Sequence, residues 1–233
     1  MVLETVIDLI MPSKYLCILI LILEHLGIKD LIVDSNGKKY KNHKYLTKSQ
    51  NKLAKEQRKL SKMVKGSNNR NKQRIKVARL HKHIQNQRND YLHKLSKSIV
   101  DENQVICIED LKVKDMEQNN KLARNITDAS WSRLVSMLTY KANWYGRKVI
   151  KIPSNYPSSQ LCSICSYKNS ITKSLNIRKW ICPKCGTVHD RDINAARNIL
   201  SKGIEILTKD GTHPDSLFML DSLESSSKKP LLL

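Results

Sequence analysis

The chain has 233 residues, which is enough for one sizeable domain with appendages. Its formal net charge of +21 implies a polyanionic partner, either nucleic acid or an anionic membrane surface. The longest apolar run, Leu16 to Leu23, is too short to span a bilayer and lacks a small-residue cleavage site. We therefore expect a cytoplasmic protein that neither crosses a membrane nor is secreted.

The N-terminal part of the chain predicts a short lead-in followed by a hairpin. Residues 1–15 show no strong hydrophobic period and are assigned to the lead-in. The continuous apolar character of Leu16 to Leu23 favours a strand buried on both faces, with a helix of similar length as the alternative. Asp30 to Val33 and the Ser35-Asn36-Gly37 turn favour a hairpin, which we assign to residues 16–46.

Residues 47–100 predict a pair of helices. The first is expected from about Thr47 to Lys65, and the sequence Gly66-Ser67-Asn68-Asn69 breaks it. The second is expected from about Arg70 to Val100. Apolar residues lie on one side of each helix: Leu53, Leu60 and Val64 on the first, and Val77, Leu80, Ile84, Tyr91, Leu95 and Ile99 on the second.

The positive charge of the chain is concentrated on this helical pair. Between Lys38 and Lys97 there are 20 Lys and Arg residues and only two acids, Glu56 and Asp90. Charges of one sign repel each other unless an anion neutralises them, which favours contact with nucleic-acid phosphates over a merely solvated face. An anionic membrane is the alternative, but the apolar stripe lacks interfacial Trp and Phe.

Residues 101–160 predict an α/β core. Val105 to Ile108 is expected to be a strand that ends at Glu109, and ligand sites of open α/β sheets lie at such strand ends. An ordinary loop acid is the alternative for Glu109. We expect an amphipathic helix from Asp128 to Tyr145, with Asp128 as its N-cap, and then a strand from Lys148 to Ile152. The apolar face of the helix is interpreted as core packing and comprises Trp131, Leu134, Leu138, Ala142 and Tyr145.

Four cysteines predict a metal site. Cys162, Cys165, Cys182 and Cys185 form two C-x2-C knuckles whose spacing fits a zinc ribbon, assigned to residues 161–187. Two disulfides or four unrelated thiols are the alternatives. Four thiolates close the tetrahedral sphere of Zn²⁺, so the ion is expected to be structural.

The segment after the ribbon predicts a final helix, assigned to residues 188–208. Apolar residues recur at helical spacing from Ile193 to Leu200, so the helix is expected to begin near Asp192. Aspartates at a helix N-terminus have an ordinary explanation, because they cap the helix and complement its dipole. Residues 209–233 lose this periodicity and predict a flexible tail.

The two knuckles followed by H-D-R-D-I-N-A-A resemble the C-terminal part of TnpB-type proteins, which are transposon-encoded relatives of the type V CRISPR nucleases. The resemblance extends to I-E-D-L, D-A-S-W, W-Y-G-R-K-V and Y-P-S-S, which begin at Ile108, Asp128, Trp144 and Tyr156. It covers about residues 16–220. It implies an α/β fold, namely an RNase H-like (RuvC-like) domain with an inserted basic helical pair and an inserted four-cysteine zinc ribbon.

The same resemblance implies a metal-dependent nuclease site. Glu109 matches a metal-ligating glutamate of the family, and Asp192 supplies an acid after the ribbon, with Asp190 as a weaker candidate. The family's first-strand aspartate falls at His25, and Glu24 could replace it only through a register slip or bulge. Because paired Mg²⁺ or Mn²⁺ ions need carboxylate oxygens, catalysis is expected to be impaired.

The family's function sets the remaining expectations. Its members bind DNA and guide RNA, and they carry a large N-terminal region that is expected to be missing here. We consider four functions: an impaired TnpB-like nucleic-acid-binding protein, an active RNA-guided DNA endonuclease, a non-catalytic zinc-ribbon protein that binds nucleic acid, and a decayed fragment without a role. The third predicts that Glu109 and Asp192 lie far apart, whereas carboxylates within roughly 4–8 Å would reject it.

Overall fold

Two small sheets form the β-layer of the computed structural model, which describes residues 18–20, 30–112, 118, 123–174 and 176–210. The first sheet is antiparallel, in the order β1-β2-β3, with β1 Ile18–Ile20, β2 Asp30–Asp34 and β3 Lys39–Lys41. The second is a parallel pair of β4 Val105–Glu109 and β5 Lys148–Ile152. Because β1 also lies against β4, the two sheets are neighbours.

Five helices of the described part surround these sheets. They are α1 Tyr45–Ser61, α2 Asn68–Glu102, α3 Ala123–Ala129, α4 Trp131–Trp144 and α5 Arg191–Lys209. Helices α1 and α2 pack side by side, α2 packs on α4, and α5 crosses both sheets. Within the described ranges, none of the helices combines the length and the apolar character needed to cross a membrane.

The strand β4 is buried on both of its faces. Ile106 and Ile108 pack with apolar residues of α2 and α4, whereas Val105 and Cys107 pack against α5. This alternation follows from the pleat, which points successive side chains to opposite faces. The molecule is therefore a mixed α/β structure with helices on both sides of its sheets, and β4 lies between them.

Helix α5 approaches β4 very closely at Gly203. A Cβ atom at this position would lie 2.9 Å from the Cβ atom of Cys107 and would clash with its Sγ atom, so only glycine leaves room for the contact. The small residues Ala195 and Ala196 are buried in the same core cluster. These small residues therefore let α5 pack closely on the sheet.

Asp128 does not cap its own helix, contrary to the prediction from the sequence. Its carboxylate accepts hydrogen bonds from the backbone N–H groups of Leu46 at 3.0 Å and Thr47 at 3.2 Å, and so caps α1. The predicted helix over residues 128–145 is two helices, because Ser130 adopts a left-handed conformation between α3 and α4. A cap supplied from a distant segment leaves no local signal in the sequence.

Other predicted elements are confirmed with corrected boundaries. The Ser35–Gly37 turn joins β2 to β3, a strand that the sequence did not predict. Val64 lies beyond the end of α1 and is 77% exposed, and Tyr145 is 45% exposed, so neither belongs to the apolar face assigned to it. Most of the predicted strand Leu16–Leu23 and the tail beyond residue 210 lie outside the described residues.

Candidate functional site

The two cysteine knuckles are the same turn used twice. In each, the first cysteine donates its backbone N–H to the carbonyl five residues later, Cys162 to Tyr167 and Cys182 to Thr187, both at 2.9 Å. The fourth residue after each first cysteine has a positive φ, 58° at Ser166 and 71° at Gly186. Each turn aims its two thiols at one point, as a metal knuckle requires. The second turn leads from β6 Lys179–Ile181 into β7 Val188–Asp190.

The four thiols converge on a site that can hold a metal ion. Their sulfur atoms all lie within 4.8 Å of one another. The Sγ–Sγ distances are 3.6 Å between Cys162 and Cys185 and 3.5 Å between Cys165 and Cys182. These distances exceed the length of a disulfide, about 2.05 Å. They are close to the roughly 3.8 Å between two sulfurs that are each 2.3 Å from a tetrahedral zinc ion.

His189 supports the cysteine site from outside the set of four thiols. Its Nε2 atom lies 3.1 Å from the Sγ atom of Cys162, and its ring packs on Trp180 with centroids 4.7 Å apart. Burial, with a smaller contribution from Arg197, lowers the pKa of His189 and favours the neutral imidazole. A neutral ring that donates Nε2–H to the sulfur would hold the thiolate in place.

Two asparagines of α5 attach the ribbon to this helix. The side chain of Asn194 donates to the carbonyl of Leu161 at 2.7 Å and accepts the N–H of Ser163 at 2.9 Å. One turn later, Asn198 donates to the carbonyl of Ser158 at 2.7 Å. Because both residues lie on one side of α5, the helix fixes the position of the first knuckle.

The aspartates of the same motif have different surroundings. Asp190 is the N-cap of α5, since its Oδ1 atom accepts the N–H groups of Asp192 at 3.0 Å and Ile193 at 3.3 Å. Asp192 is buried, and its Oδ2 atom lies 3.3 Å from a guanidinium nitrogen of Arg178. Burial raises the pKa of Asp192, and Arg178 opposes that effect. The Oδ1 atom of Asp192 is buried and has no hydrogen-bond partner among the described residues.

Glu109 lies at the predicted place, the carboxyl end of β4. It lines an open cavity of about 470 Å³ together with Asp110, Lys151 and one side of α4. Burial raises the pKa of Glu109 to about 7. Asp110 is paired with Lys151 at 3.6 Å.

The described residues do not assemble a complete acidic ion site. Apart from the four cysteines, they contain no group of three His, Cys, Asp or Glu side chains that converges closely enough to hold an ion. His25 and Glu24 lie outside the described residues, so their predicted roles stay predictions. Oxygen donors suit Mg²⁺ or Mn²⁺, and the Oδ1 atom of Asp192, which no described residue bonds, is a carboxylate oxygen of this kind.

The stretch from Lys38 to Lys97 is basic because it holds 20 Lys and Arg residues, and its two acids are paired within α1 and α2. Glu56 is buried and accepts a hydrogen bond from Gln73 at 2.8 Å, and it pairs with Lys76 at 3.2 Å. The hydrogen bonds from Gln73 and Lys76 lower the pKa of Glu56 to about 2. Asp90 pairs with Lys94 one turn away at 2.8 Å. The remaining exposed Lys and Arg residues suit a polyanion.

Three functional or structural roles escaped the sequence analysis. Asp128 caps α1 from a distant segment, and Arg178 reaches Asp192 from the ribbon. Trp144 is the last residue of the amphipathic helix α4, and it is 74% exposed. The position of Trp144 off the apolar period of α4 was the one available signal.

Comparisons with known proteins place two families along this chain. A family profile described as "Probable transposase" matches residues 25–120. A second, described as "Cas12f1-like, TNB domain", matches residues 131–199, which include the four cysteines and both aspartates of the motif.

Curated relatives match most of this chain but only part of their own length. A candidate RNA-guided DNA endonuclease from Streptomyces pristinaespiralis is 50% identical over 178 residues, which is 76% of this chain and 44% of the relative. The corresponding InsQ protein of Escherichia coli K12 is 36% identical over 199 residues, 78% of this chain and 48% of the relative. A TnpB-like protein of Methanocaldococcus jannaschii is 33% identical over 126 residues, 50% of this chain and 43% of the relative. The chain thus spans about half the length of these relatives.

A solved structure has a similar fold. The cryo-EM structure of a Cas12f1–sgRNA–target DNA complex contains a chain that matches with a TM-score of 0.53 and 17% sequence identity. The match covers 81% of this chain and 50% of the other. At this level of identity the likeness concerns the fold alone.

Proposed function

This chain belongs to the TnpB family, and on that premise we propose that it binds nucleic acid as a RuvC-like nuclease half whose cleavage of DNA is impaired. The observation that carries the proposal is the docking of a helical pair with a large excess of positive charge onto an α/β core that presents Glu109 at a strand end. The relatives are named as RNA-guided DNA endonucleases, so DNA and a guide RNA are the proposed partners.

Binding of phosphates is assigned to α1 and α2. Both acids of the stretch from Lys38 to Lys97 are engaged by lysines of the same helices, so the excess of positive charge is left to the solvent. Contacts of this kind release counterions and carry no sequence information. We expect affinity for DNA and RNA that falls steeply with salt concentration.

The RNase H-like arrangement is supported by the order of the strands. With β1 against β4, the two sheets read in the order β3-β2-β1-β4-β5, and helices cover both faces. Ligand sites of open α/β sheets lie at the carboxyl ends of their strands, and Glu109 is at the carboxyl end of β4. His25 then replaces the acid that the family uses, and a neutral imidazole carries no charge to offset paired Mg²⁺ ions.

The cysteine site is proposed to hold Zn²⁺ with a structural role. The sulfur geometry fits a closed tetrahedral site, which leaves no open position for a reacting water. Asn194 of α5 bonds to the backbone at the start of the ribbon, so an ordered ribbon has a fixed position on this helix. That position also holds Arg178 beside Asp192.

A second candidate is a nucleic-acid-binding protein without any catalytic role. It is favoured by the ion pair between Asp192 and Arg178 and by the absence of a converging group of three acids among the described residues. It differs from the first proposal in one measurable respect, since it predicts no cleavage that depends on Glu109.

Reversal of the His25 substitution tests the proposal. Plasmid and single-stranded DNA are incubated with the full chain, with and without its co-purified RNA, in Mg²⁺ or Mn²⁺. We expect weak or no cleavage by the native chain and increased cleavage by His25→Asp, with the matched neutral variant His25→Asn as the control. The gain should disappear in the double variant His25→Asp/Glu109→Gln.

The outcomes separate the candidates. Robust cleavage by the native chain that Glu109→Ala abolishes would show an active endonuclease and refute the impairment. No gain from His25→Asp, with binding to nucleic acid intact, would favour the protein without catalysis. Failure to bind DNA or RNA even at low salt would reject both.

A further inference from the structure

The side of α4 that faces away from the core borders an open groove that begins at Glu109. The groove is the cavity of about 470 Å³ between α4 and the end of the β4–β5 pair. Ser132, Ser136, Thr139 and Asn143 line it at steps of three and four residues, and therefore form a single polar row on α4. From the first to the last of these residues the helix rises about 16 Å, enough for a few nucleotides of an extended strand.

An aromatic pair lies at the far end of this row. The ring of Tyr140 lines the groove and meets the ring of Trp144 edge to face, with centroids 4.7 Å apart. Trp144 is 74% exposed, whereas the core residues Trp131 and Leu134 of the same helix are fully buried. The exposed tryptophan therefore does not serve the core, and its ring face is open to a planar partner.

The charges around the groove suit a nucleic acid strand. Lys151 neutralises Asp110 at the end near Glu109. At the aromatic end, the Nζ atom of Lys97 pairs with Asp101 and lies 4.5 Å from the ring centroid of Tyr145, and Arg147 and Lys148 follow after Gly146. Hydroxyl and amide groups between these ends can donate to phosphate and sugar oxygens.

We propose that Tyr140 and Trp144 form a stacking platform for a base of single-stranded nucleic acid, and that the polar row of α4 directs this strand toward Glu109. The platform rests on the proposed function, because the strand is the substrate path of the same site. A single strand is specified because duplex bases are already stacked on each other and offer no free face. Base–aromatic stacking is tolerant of sequence and suits a protein guided by pairing elsewhere.

Tryptophan fluorescence reports on this platform selectively. The chain has three tryptophans, and Trp131 and Trp180 are buried. We expect oligothymidylate and oligouridylate to quench the emission of Trp144, and Trp144→Phe to remove the quenching while it preserves most of the affinity. Trp144→Ala should weaken binding about 10-fold. Ile171→Ala, which removes an exposed apolar side chain of the ribbon outside both knuckles, is the control and should bind as the native chain does.

An abasic strand of the same length and charge separates stacking from phosphate binding. The native chain should prefer the base-bearing strand, and Trp144→Ala should bind both strands equally. Equal binding of both strands by the native chain overturns the platform and leaves the proposed function intact, whereas no binding of any strand overturns both. A concentration-dependent dimer that Trp144→Ala dissociates also overturns the platform, in favour of an interface between copies. The affinities for oligothymidylate and oligouridylate, compared with each other, show whether the strand is DNA or RNA.

Discussion

The four cysteines and the two acids Glu109 and Asp192 differ in how their surroundings are built along the chain. The four cysteines come from two copies of one local turn, and their sulfurs converge within 4.8 Å. Glu109 and Asp192 come from a strand and a helix separated by the ribbon, and each has its own surroundings. A local turn positions its ligands by backbone geometry alone. A site built from distant elements depends on every contact that docks them.

Loss of one cysteine ligand should have the largest effect. Cys182→Ser should abolish metal binding and disorder the ribbon, because structural zinc sites contribute about 10 kcal/mol or more to the folding of small domains. Zinc content by mass spectrometry and limited proteolysis of residues 161–187 measure the two effects. Cys107→Ala, which removes a buried thiol outside the cluster, should keep the metal. Retention of zinc by Cys182→Ser would show that the four thiols do not act as one site.

The pH dependence of stability tests the burial of the Glu109 carboxyl group. The pKa of Glu109 is about 7 in the folded chain, above its ordinary value, because burial disfavours the carboxylate. Between about pH 4.5 and 7 the unfolded chain loses this proton and the folded chain retains it, so stability falls as pH rises. Glu109→Gln should match the native chain at pH 4 and exceed it by about 2 kcal/mol at pH 8, allowing for partial exposure.

Denaturant titrations at several pH values measure this difference. Added Mn²⁺ should stabilise the native chain at pH 8 and leave Glu109→Gln unchanged, if the carboxylate takes part in an ion site. If the free energies of unfolding of the native chain and of Glu109→Gln differ by the same amount from pH 4 to pH 8, the Glu109 carboxylate is solvated in solution.

The docking of α5 on β4 can be weakened directly. Gly203→Ala introduces a Cβ atom that clashes with the side chain of Cys107 and should destabilise the chain by about 2 kcal/mol, although alanine is the better helix former. The double variant Gly203→Ala/Cys107→Ala should recover part of the loss. Ser201→Ala, an exposed change on the same helix, is the control. Equal stability of Gly203→Ala and the native chain would place α5 farther from the sheet.

The sequence predicted the local features of the molecule better than the long-range ones. The knuckles, the strand ending at Glu109 and the helix starting beside Asp192 all follow from short patterns, and the structure contains them. The cap of α1 by Asp128 and the contact of Arg178 with Asp192 join segments far apart in the chain. Such contacts depend on the relative placement of whole elements, which hydrophobic periodicity does not specify. The predicted roles of His25 and Glu24 stay predictions because both residues lie outside the described part of the chain.

The smallest of these effects concerns the cap that joins the helical pair to the core. Asp128→Ala removes the acceptor for two N–H groups at the start of α1 and should lower the unfolding free energy by about 1 kcal/mol. Asp90→Ala is the matched control, because that exposed carboxylate pairs with Lys94 one turn away, and its loss should cost less than about 0.5 kcal/mol. Denaturant unfolding measures both. If the cap also fixes how α1 lies against the core, Asp128→Ala should speed amide hydrogen exchange in the first turn of α1 while the cysteine knuckles exchange as before. Faster exchange in both places would show that the ribbon is not independent of the long-range contacts.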